Sequence, residues 1–559
     1  MKFDDILRQI GELGPFQMKI VFLVALAMLP EALNSMIAVF ATADMDHWCH
    51  VEEWTDSVQN CNSNLTTFGQ NEQYIECIHK YRDASIPIKK IDDGEPVYAN
   101  CIMYDKEYPS ELTEEYHTGD SENSTRGCTE GWVYDRSQYR STIVSEFDLV
   151  CDKKKMAAMT QSIFYVGYLV GSWASGSLAD AIGRYYTLFI AVSVDIIAGV
   201  ILAFSPTYWF FCIFRFLVGV SNISLYLMAF VIATEILGPS KRIYGGMAIP
   251  LAFSFGYMLL AFLAYMIRNW RHLQLAASGL LVPIFLLIPI LPESARWLMA
   301  RKKYEKAEKI IKQIAKGNKT TDKLPENTVE CLIKEEEENF NRRTYTTLDL
   351  LRTPKLRRAT LMLFFIWPAN SLIYFGLSLN TAKFGSNQYM TFFIAGFVEV
   401  PGILMTVPFM QSRFGRRYTI SGVMALSGVA CLVTVITSDI FLTVAAMTGK
   451  FCITAAYMSI YVFSAEIFPT EVRSIGVGSC STAARLGSIF APMVLVMFND
   501  IWEPLPLLLF GCLALIAAGL VLLLPETRGK VLTATIEEGE EFLRNPHGKI
   551  SNSNEDSKI

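Results

Sequence analysis

Six ionisable side chains stand inside otherwise apolar runs of this sequence: Glu31, Asp195, Arg215, Glu399, Lys450 and Arg485. Arg485, within CSTAARLGSIFAP (480–492), is the plainest case. A guanidinium cannot be neutralised, and near mid-bilayer it costs from ~3 kcal/mol to several times that. Charges so placed either close ion pairs among themselves or face a wet cavity where a charged solute meets them. Asp195 reads as the partner of Arg215. For Arg215 and Lys450 a structural pair and a solute contact are equally open. Glu31 adds an acid that suits Na+, a proton or a positive group of the solute. The chemistry on offer is electrostatic recognition, with no bond making. The chain has no G-x-x-x-x-G-K-[ST] loop, no HExxH, no paired Cys-x-x-C and no metal-ligand cluster. This speaks against ATP-driven pumping, a resident metal, a cofactor and enzymatic activity. Movement of a solute would be driven by gradients, by exchange or by membrane potential, with Na+ and H+ as the coupling ions to consider.

The elements that must hold such charges are membrane helices. The 559-residue chain is 52% hydrophobic and 18% charged, and its net charge of −5 points to no nucleic-acid partner. Runs of the length that crosses a bilayer recur near 17–41, 156–177, 187–204, 207–232, 245–267, 272–291, 359–379, 389–410, 418–437, 440–463, 475–498 and 503–524. They predict an all-α membrane protein of twelve helices, multi-pass in the bilayer. The first run lacks a small-residue cleavage site and reads as a retained helix. GRYY (183–186), SKR (240–242), RWLMARKK (296–303), RFGRR (413–417) and EVR (471–473) fall in alternate loops, which places those loops in the cytoplasm. Arg268 and Arg271, in a short external loop, are exceptions. The chain then divides into a cytoplasmic N-terminus and first span (1–41), an external loop (42–155), spans two to six (156–293), cytoplasmic linker helices (294–358), spans seven to twelve (359–526) and a cytoplasmic tail (527–559).

The external loop carries Cys49, Cys61, Cys77, Cys101, Cys128 and Cys151, six of the twelve cysteines. An even cluster outside the cell predicts three disulfides, with the pairing left open. Asn64 and Asn123 are glycosylation sequons in the same loop, whereas the Asn318 sequon lies in the linker and stays unmodified.

Three features of the first half return about 232 residues later. GSLADAIGR, with Asp180 and Arg184, is echoed by MQSRFGR, ending at Arg416. Glu235 and Arg242 of ATEILGPSKR are matched by Glu466 and Arg473 of SAEIFPTEVR. LPESARW, with Glu293 and Arg296, answers LPETRG, with Glu526. Such parallel repeats predict two six-helix halves that rock about a midplane site. Charges beyond helix ends are expected to pair across the halves and with helix termini, as a gate. Gly167, Gly171 and Ser175 have the small-residue spacing that lets helices approach closely.

The GxLADxxGR loop and its echo resemble the major facilitator superfamily. The cysteine-rich loop, STIVSEFDLVCD (141–152), PESARWL and AEIFPTEVR resemble its organic cation/anion/zwitterion transporter family over essentially the whole chain. IGELGPFQ, TEILG, FGLSLNT, VEVP and STAARLGSI are most similar to the carnitine and zwitterion branch. Ser412 departs from the pattern where an acid would match Asp180. The resemblance implies that Glu399 and Arg485 line the central cavity, and that cation carriers place an acid where Arg485 stands. One carboxylate and one guanidinium suit a small zwitterion such as a betaine, its ammonium at Glu399 and its carboxylate at Arg485. Trp367 and Tyr374 share a helix face, and Tyr257, Tyr457 and Tyr461 add rings able to hold a quaternary ammonium. The reading is therefore a plasma-membrane carrier of small organic cations and zwitterions, with the monomer as working unit. An organic anion exchanger and a non-transporting receptor on a carrier fold are the alternatives.

Overall fold

The structure, a computed structural model, describes residues 3–62, 72–92, 95–110, 112, 124–324, 333, 345–530 and 532–544. Ten helices among them are long and apolar enough to cross a membrane. Two more, of 29 and 19 residues, lie over the second and ninth expected spans and are diluted by polar residues. In chain order the long helices are α1 (Pro15–Ala41), α2 (Lys154–Ile182), α3 (Arg184–Ala203), α4 (Tyr208–Glu235), α5 (Pro239–Met266), α6 (Trp270–Ile290), α7 (Pro354–Leu379), α8 (Gln388–Gln411), α9 (Gly415–Val433), α10 (Asp439–Ile467), α11 (Arg473–Asn499) and α12 (Leu505–Leu522). Helix α1 is broken at Ala27, just after the carbonyl that Pro30 has no N–H to meet. Trp173, Phe204 and Trp209 are exposed on α2 to α4, as expected of helices with a lipid-facing side.

The chain divides into two compact units. One comprises Met1–Ile37, Met159–Leu263 and Gln274–Ile559 and holds the long-helix bundle. Among the described residues, each set of six long helices has an apolar core of its own. The first also takes in Phe3, Ile6 and Leu7 of the helix Phe3–Ile10 and Ala307, Ile311 and Ile314 of the linker helix Tyr304–Gly317. The second takes in Leu350 and Ile536. Asn318 is fully used as a joint, donating to the Ile10 carbonyl at 3.1 Å and to Gln17 at 2.8 Å while accepting from the Phe16 N–H. A Cβ on Gly167 would stand 2.4 Å from the Phe216 carbonyl oxygen, so the small residues of α2 do permit a close crossing with α4.

The other unit comprises Ala38–Ala158 and Ala264–Leu273. Three short antiparallel ribbons pair β1 (His47–Cys49) with β6 (Trp132–Tyr134), β2 (Ile88–Asp92) with β3 (Glu95–Tyr98), and β4 (Ile102–Tyr104) with β5 (Thr125–Gly127). Ribbons so short need staples. The six cysteines supply them as Cys49–Cys128, Cys61–Cys77 and Cys101–Cys151. Tyr74 packs in one small core and accepts the Arg136 N–H at 2.9 Å; burial pushes its phenol up to about 12. Arg271, an exception to the charge rule, is neutralised by Glu146. Asn64 and Asn123 lie outside the described residues.

Candidate functional site

A cavity at the centre of the bundle unit is lined by Glu31 and Ser35 of α1, Tyr168 of α2, Tyr226 of α4, Tyr374 of α7, Glu399 of α8, Thr454, Tyr457 and Tyr461 of α10, and Arg485 of α11. It opens about 90 Å3 to the centre of a water molecule, several times the ~10–15 Å3 that one water needs. Glu399 and Arg485 both line this void, and both come from the second half, where the expectation drew them from the two halves. Pro250, Phe253, Ile223, Phe375, Ile403 and Met458 supply its apolar walls.

Arg485 is 6% exposed, and its guanidinium lies 5.7 Å from the Tyr168 ring centroid. No carboxylate stands within ion-pair distance of it among the described residues. Glu31 Oε1 lies 3.1 Å from the Tyr168 hydroxyl, which also stands 2.5 Å from Asn222 Oδ1, while the buried Oε2 has no hydrogen-bond partner among the described residues. Two opposite charges therefore share the cavity without touching.

Glu399 is engaged on both oxygens. Its Oε1 meets Lys450 Nζ at 2.8 Å and the Tyr374 hydroxyl at 2.8 Å, and its Oε2 accepts Ser254 Oγ at 2.9 Å. The Lys450 ammonium sits 3.5 Å from the Tyr374 ring centroid and also contacts Ser378. Three residues expected in the cavity are not in its wall. Lys450 is buried behind Glu399, Tyr257 stacks on Phe392 at 4.0 Å, and Trp367 donates to Ser464 at 3.0 Å while backing Tyr461. Helical spacing put them on the right face, but a second layer of packing stands between them and the void.

The expected pair of Asp195 and Arg215 does not form either. Arg215 donates to Gln161 at 2.9 Å and lies over the Phe164 ring, and Asp195 accepts from Asn34 at 3.3 Å. Both sit in a buried polar network that joins α1, α2, α3, α4 and α6 through Asn34, Gln161, Asn222 and Gln274. Ser254, Tyr168 and Tyr226 went unnoticed in the sequence, where lone serines and tyrosines in apolar runs carry no distinguishing pattern.

Residues 103–538 match a family model described as sugar (and other) transporter. The chain is 38% identical to the organic cation transporter protein of Drosophila melanogaster, over 98% of this chain and 96% of that protein. It is 34% identical to the human organic cation/carnitine transporter 2, over 96% of this chain and 93% of that protein. The chain belongs to the organic cation transporter family of the major facilitator superfamily. Its fold agrees with the xylose transporter XylE from E. coli, at a TM-score of 0.59 and 14% identity over 92% of this chain and 98% of that one. As a member of a transporter family it is a membrane transporter and not an enzyme, and carriers of this superfamily need no cofactor. Cation and carnitine carriers are about equally similar to it, so overall identity does not choose its solute.

The charges of the repeated motifs meet helix starts, as expected, but among the described residues their ion pairs stay within each half and do not cross between halves. Arg184 pairs with Asp180 at 3.1 Å and Glu235 at 3.5 Å, and Arg416 with Glu466 at 3.0 Å. Arg242 and Arg296 both meet Asp4 of the N-terminal helix. Arg473 donates to Thr470 at 3.1 Å. Within each half the start of one long helix arrives beside the end of the next, so opposite charges find each other locally. Glu293 accepts the N–H groups of Arg184 and Tyr185 at the start of α3, and Glu526 those of Arg416 and Arg417 at the start of α9. Ser412 instead gives its carbonyl to Arg528 at 2.5 Å.

Among the described residues, contacts between the halves gather where α2 and α8 begin and α5, α7 and α11 near their ends. Ser162 donates to the Ile489 carbonyl at 2.8 Å, Tyr165 meets Phe375 at 4.7 Å between centroids, and Tyr257 stacks on Phe392. Ser254 of α5 reaches across to Glu399 of α8.

Proposed function

We propose that this protein carries small organic cations and zwitterions, betaines of the carnitine kind foremost, across the plasma membrane by alternating access. It would span the membrane twelve times with both termini in the cytoplasm and residues 42–155 outside. One monomer would form the working unit. The observation that carries the reading is Arg485, a permanent cation with no acid partner among the described residues, in the wall of a cavity roomy enough for water that also presents carboxylates and tyrosine faces. A carboxylate on the solute would satisfy the guanidinium, and rings with an acid suit the ammonium end. Contacts concentrated at one end of the two halves support a state closed on the outside, the second half of an alternating cycle. An organic anion exchanger remains the competing reading, and the retained arginine favours it.

The test is uptake of labelled carnitine, a simple quaternary ammonium and a dicarboxylate in one cell line, with and without Na+ and across external pH. The expected result is uptake of the first two. Arg485→Ala should lower carnitine uptake about 10-fold or more, the scale of one charged contact, while sparing the simple cation. Dicarboxylate uptake that exceeds both would establish the exchanger instead. The dependence on Na+ or pH identifies the coupling ion.

A further inference from the structure

We infer that Glu31, and not Glu399, receives the cationic group of the solute, an assignment that rests on the carrier function proposed above. The elements of an ammonium cage exist around Glu399: a carboxylate, the faces of Tyr374 and Tyr257, and the Ser378 hydroxyl. That cage already holds a cation, the chain's own Lys450, at 2.8 Å from Glu399 and 3.5 Å and 5.6 Å from the two ring centroids. Both partners are 2% exposed. A solute that took Glu399 would have to leave the Lys450 ammonium buried and unpaired, the costly half of any broken interior pair.

Glu31 is placed differently. It is 2% exposed, lines the cavity, and its Oε2 has no hydrogen-bond partner among the described residues. Its other oxygen is held by Tyr168, the same ring that Arg485 approaches. The six ionisable residues of the apolar runs are three acids and three bases. Glu399 is matched by Lys450, and Asp195 and Arg215 belong to the network outside the cavity wall. Glu31 and Arg485 are the opposite charges left facing the void. The rings of Tyr168, Tyr226, Tyr457 and Tyr461 around them suit a quaternary ammonium, which has no N–H to donate and is held by carboxylate charge and ring faces. Glu31 thus sets the preference for a cationic end, and Lys450 acts as a tethered occupant that closes the second cage.

The experiment is concentration-dependent uptake of tetramethylammonium into cells expressing wild type, Glu31→Gln, Glu31→Asp, and Glu31→Gln combined with Lys450→Met, each normalised to protein at the cell surface. Glu31→Gln should raise KM about 10- to 100-fold. Glu31→Asp should recover part of that loss, because it restores the charge. Removing Lys450 in the Glu31→Gln background should also recover affinity, since the vacated cage can then take the ammonium. An unchanged KM in Glu31→Gln overturns the assignment. If the double variant fails to reach the surface, the two single variants decide the matter. Wild type that takes up no tetramethylammonium removes the proposed carriage of simple cations and this inference together. Wild type that does, beside an indifferent Glu31→Gln, removes the inference alone.

Discussion

Trp367 illustrates how far a single residue can be read. Its seven-residue spacing from Tyr374 puts both on one face of α7, and both do face the other helices. Only Tyr374 reaches the cavity, because Tyr457 and Tyr461 fill the space in front of the indole. Trp367→Ala should therefore act on stability, by roughly 3–5 kcal/mol for a buried tryptophan. A lower melting temperature in detergent with an unchanged KM is the expected signature. Tyr461→Ala, at the wall itself, should raise KM. Sequence periodicity fixes direction around a helix but not depth from the cavity, which is why Lys450 and Tyr257 also stand one layer back. Charged residues in apolar runs stood out for a stronger reason, since hydrocarbon tolerates few of them. Their partners were not legible. Arg215 found the neutral Gln161 rather than Asp195, and nothing in the spacing of either residue distinguishes the two outcomes.

Among the elements, the repeated loops show what pattern alone can and cannot deliver. The constant offset of GR, E…R and PE was visible, and the structure gives it a common mechanism. Gly183 and Gly415 open α3 and α9 with φ of +107° and +74°, a conformation that disfavours a side chain by roughly 1–2 kcal/mol. A Cβ there would also come within 2.2 Å of Glu293 and 2.5 Å of Glu526, the carboxylates that cap the two helix starts. Gly183→Ala and Gly415→Ala should each lower the melting temperature and the surface level, and Glu526→Gln should do so more mildly, as the loss of a charged cap. The C-terminal helix Ile536–Arg544 repeats the device on α7: Glu540 accepts the N–H groups of Lys355 and Leu356 at 2.9 Å each. Partial burial works against its charge, but these N–H donors hold the carboxyl below its ordinary 4.5. A carboxyl lowered on folding contributes fully above the ordinary value and loses its contribution as pH falls through the lowered one. Docking of residues 536–544 should then hold at neutral pH and loosen only in acid, whereas Glu540→Gln should loosen it already at pH 7. Hydrogen exchange of this segment reads both.

At the scale of the whole molecule, the long apolar runs and the parallel repeat carried the architecture, because bilayer thickness imposes a length on every helix that crosses it. The cysteine count carried the existence of three bridges outside the bundle but not their pairing, which depends on where short ribbons meet in space. The conformation was beyond the sequence altogether, since two arrangements of the same halves share every motif. In the structure the halves meet near the starts of α2 and α8, through Ser162, Tyr165, Ser254 and Tyr257, while the motif charges pair within their own half. This makes Gly396 of α8 a test of alternating access. A Cβ at that position would stand 2.7 Å from Tyr257 Cδ1 and 3.3 Å from the Met258 backbone nitrogen, so the crowding falls on α5, across the seam between halves. Gly396→Val should oppose closure there by about 1–3 kcal/mol, the usual penalty for overpacking. That shifts a two-state ratio by about 5- to 150-fold toward the state open on the outside. Uptake should fall while binding of labelled solute at the surface of intact cells is kept or raised. A variant destabilised in one half alone would lose both together, and normal uptake would show that the Tyr257 seam does not open during transport.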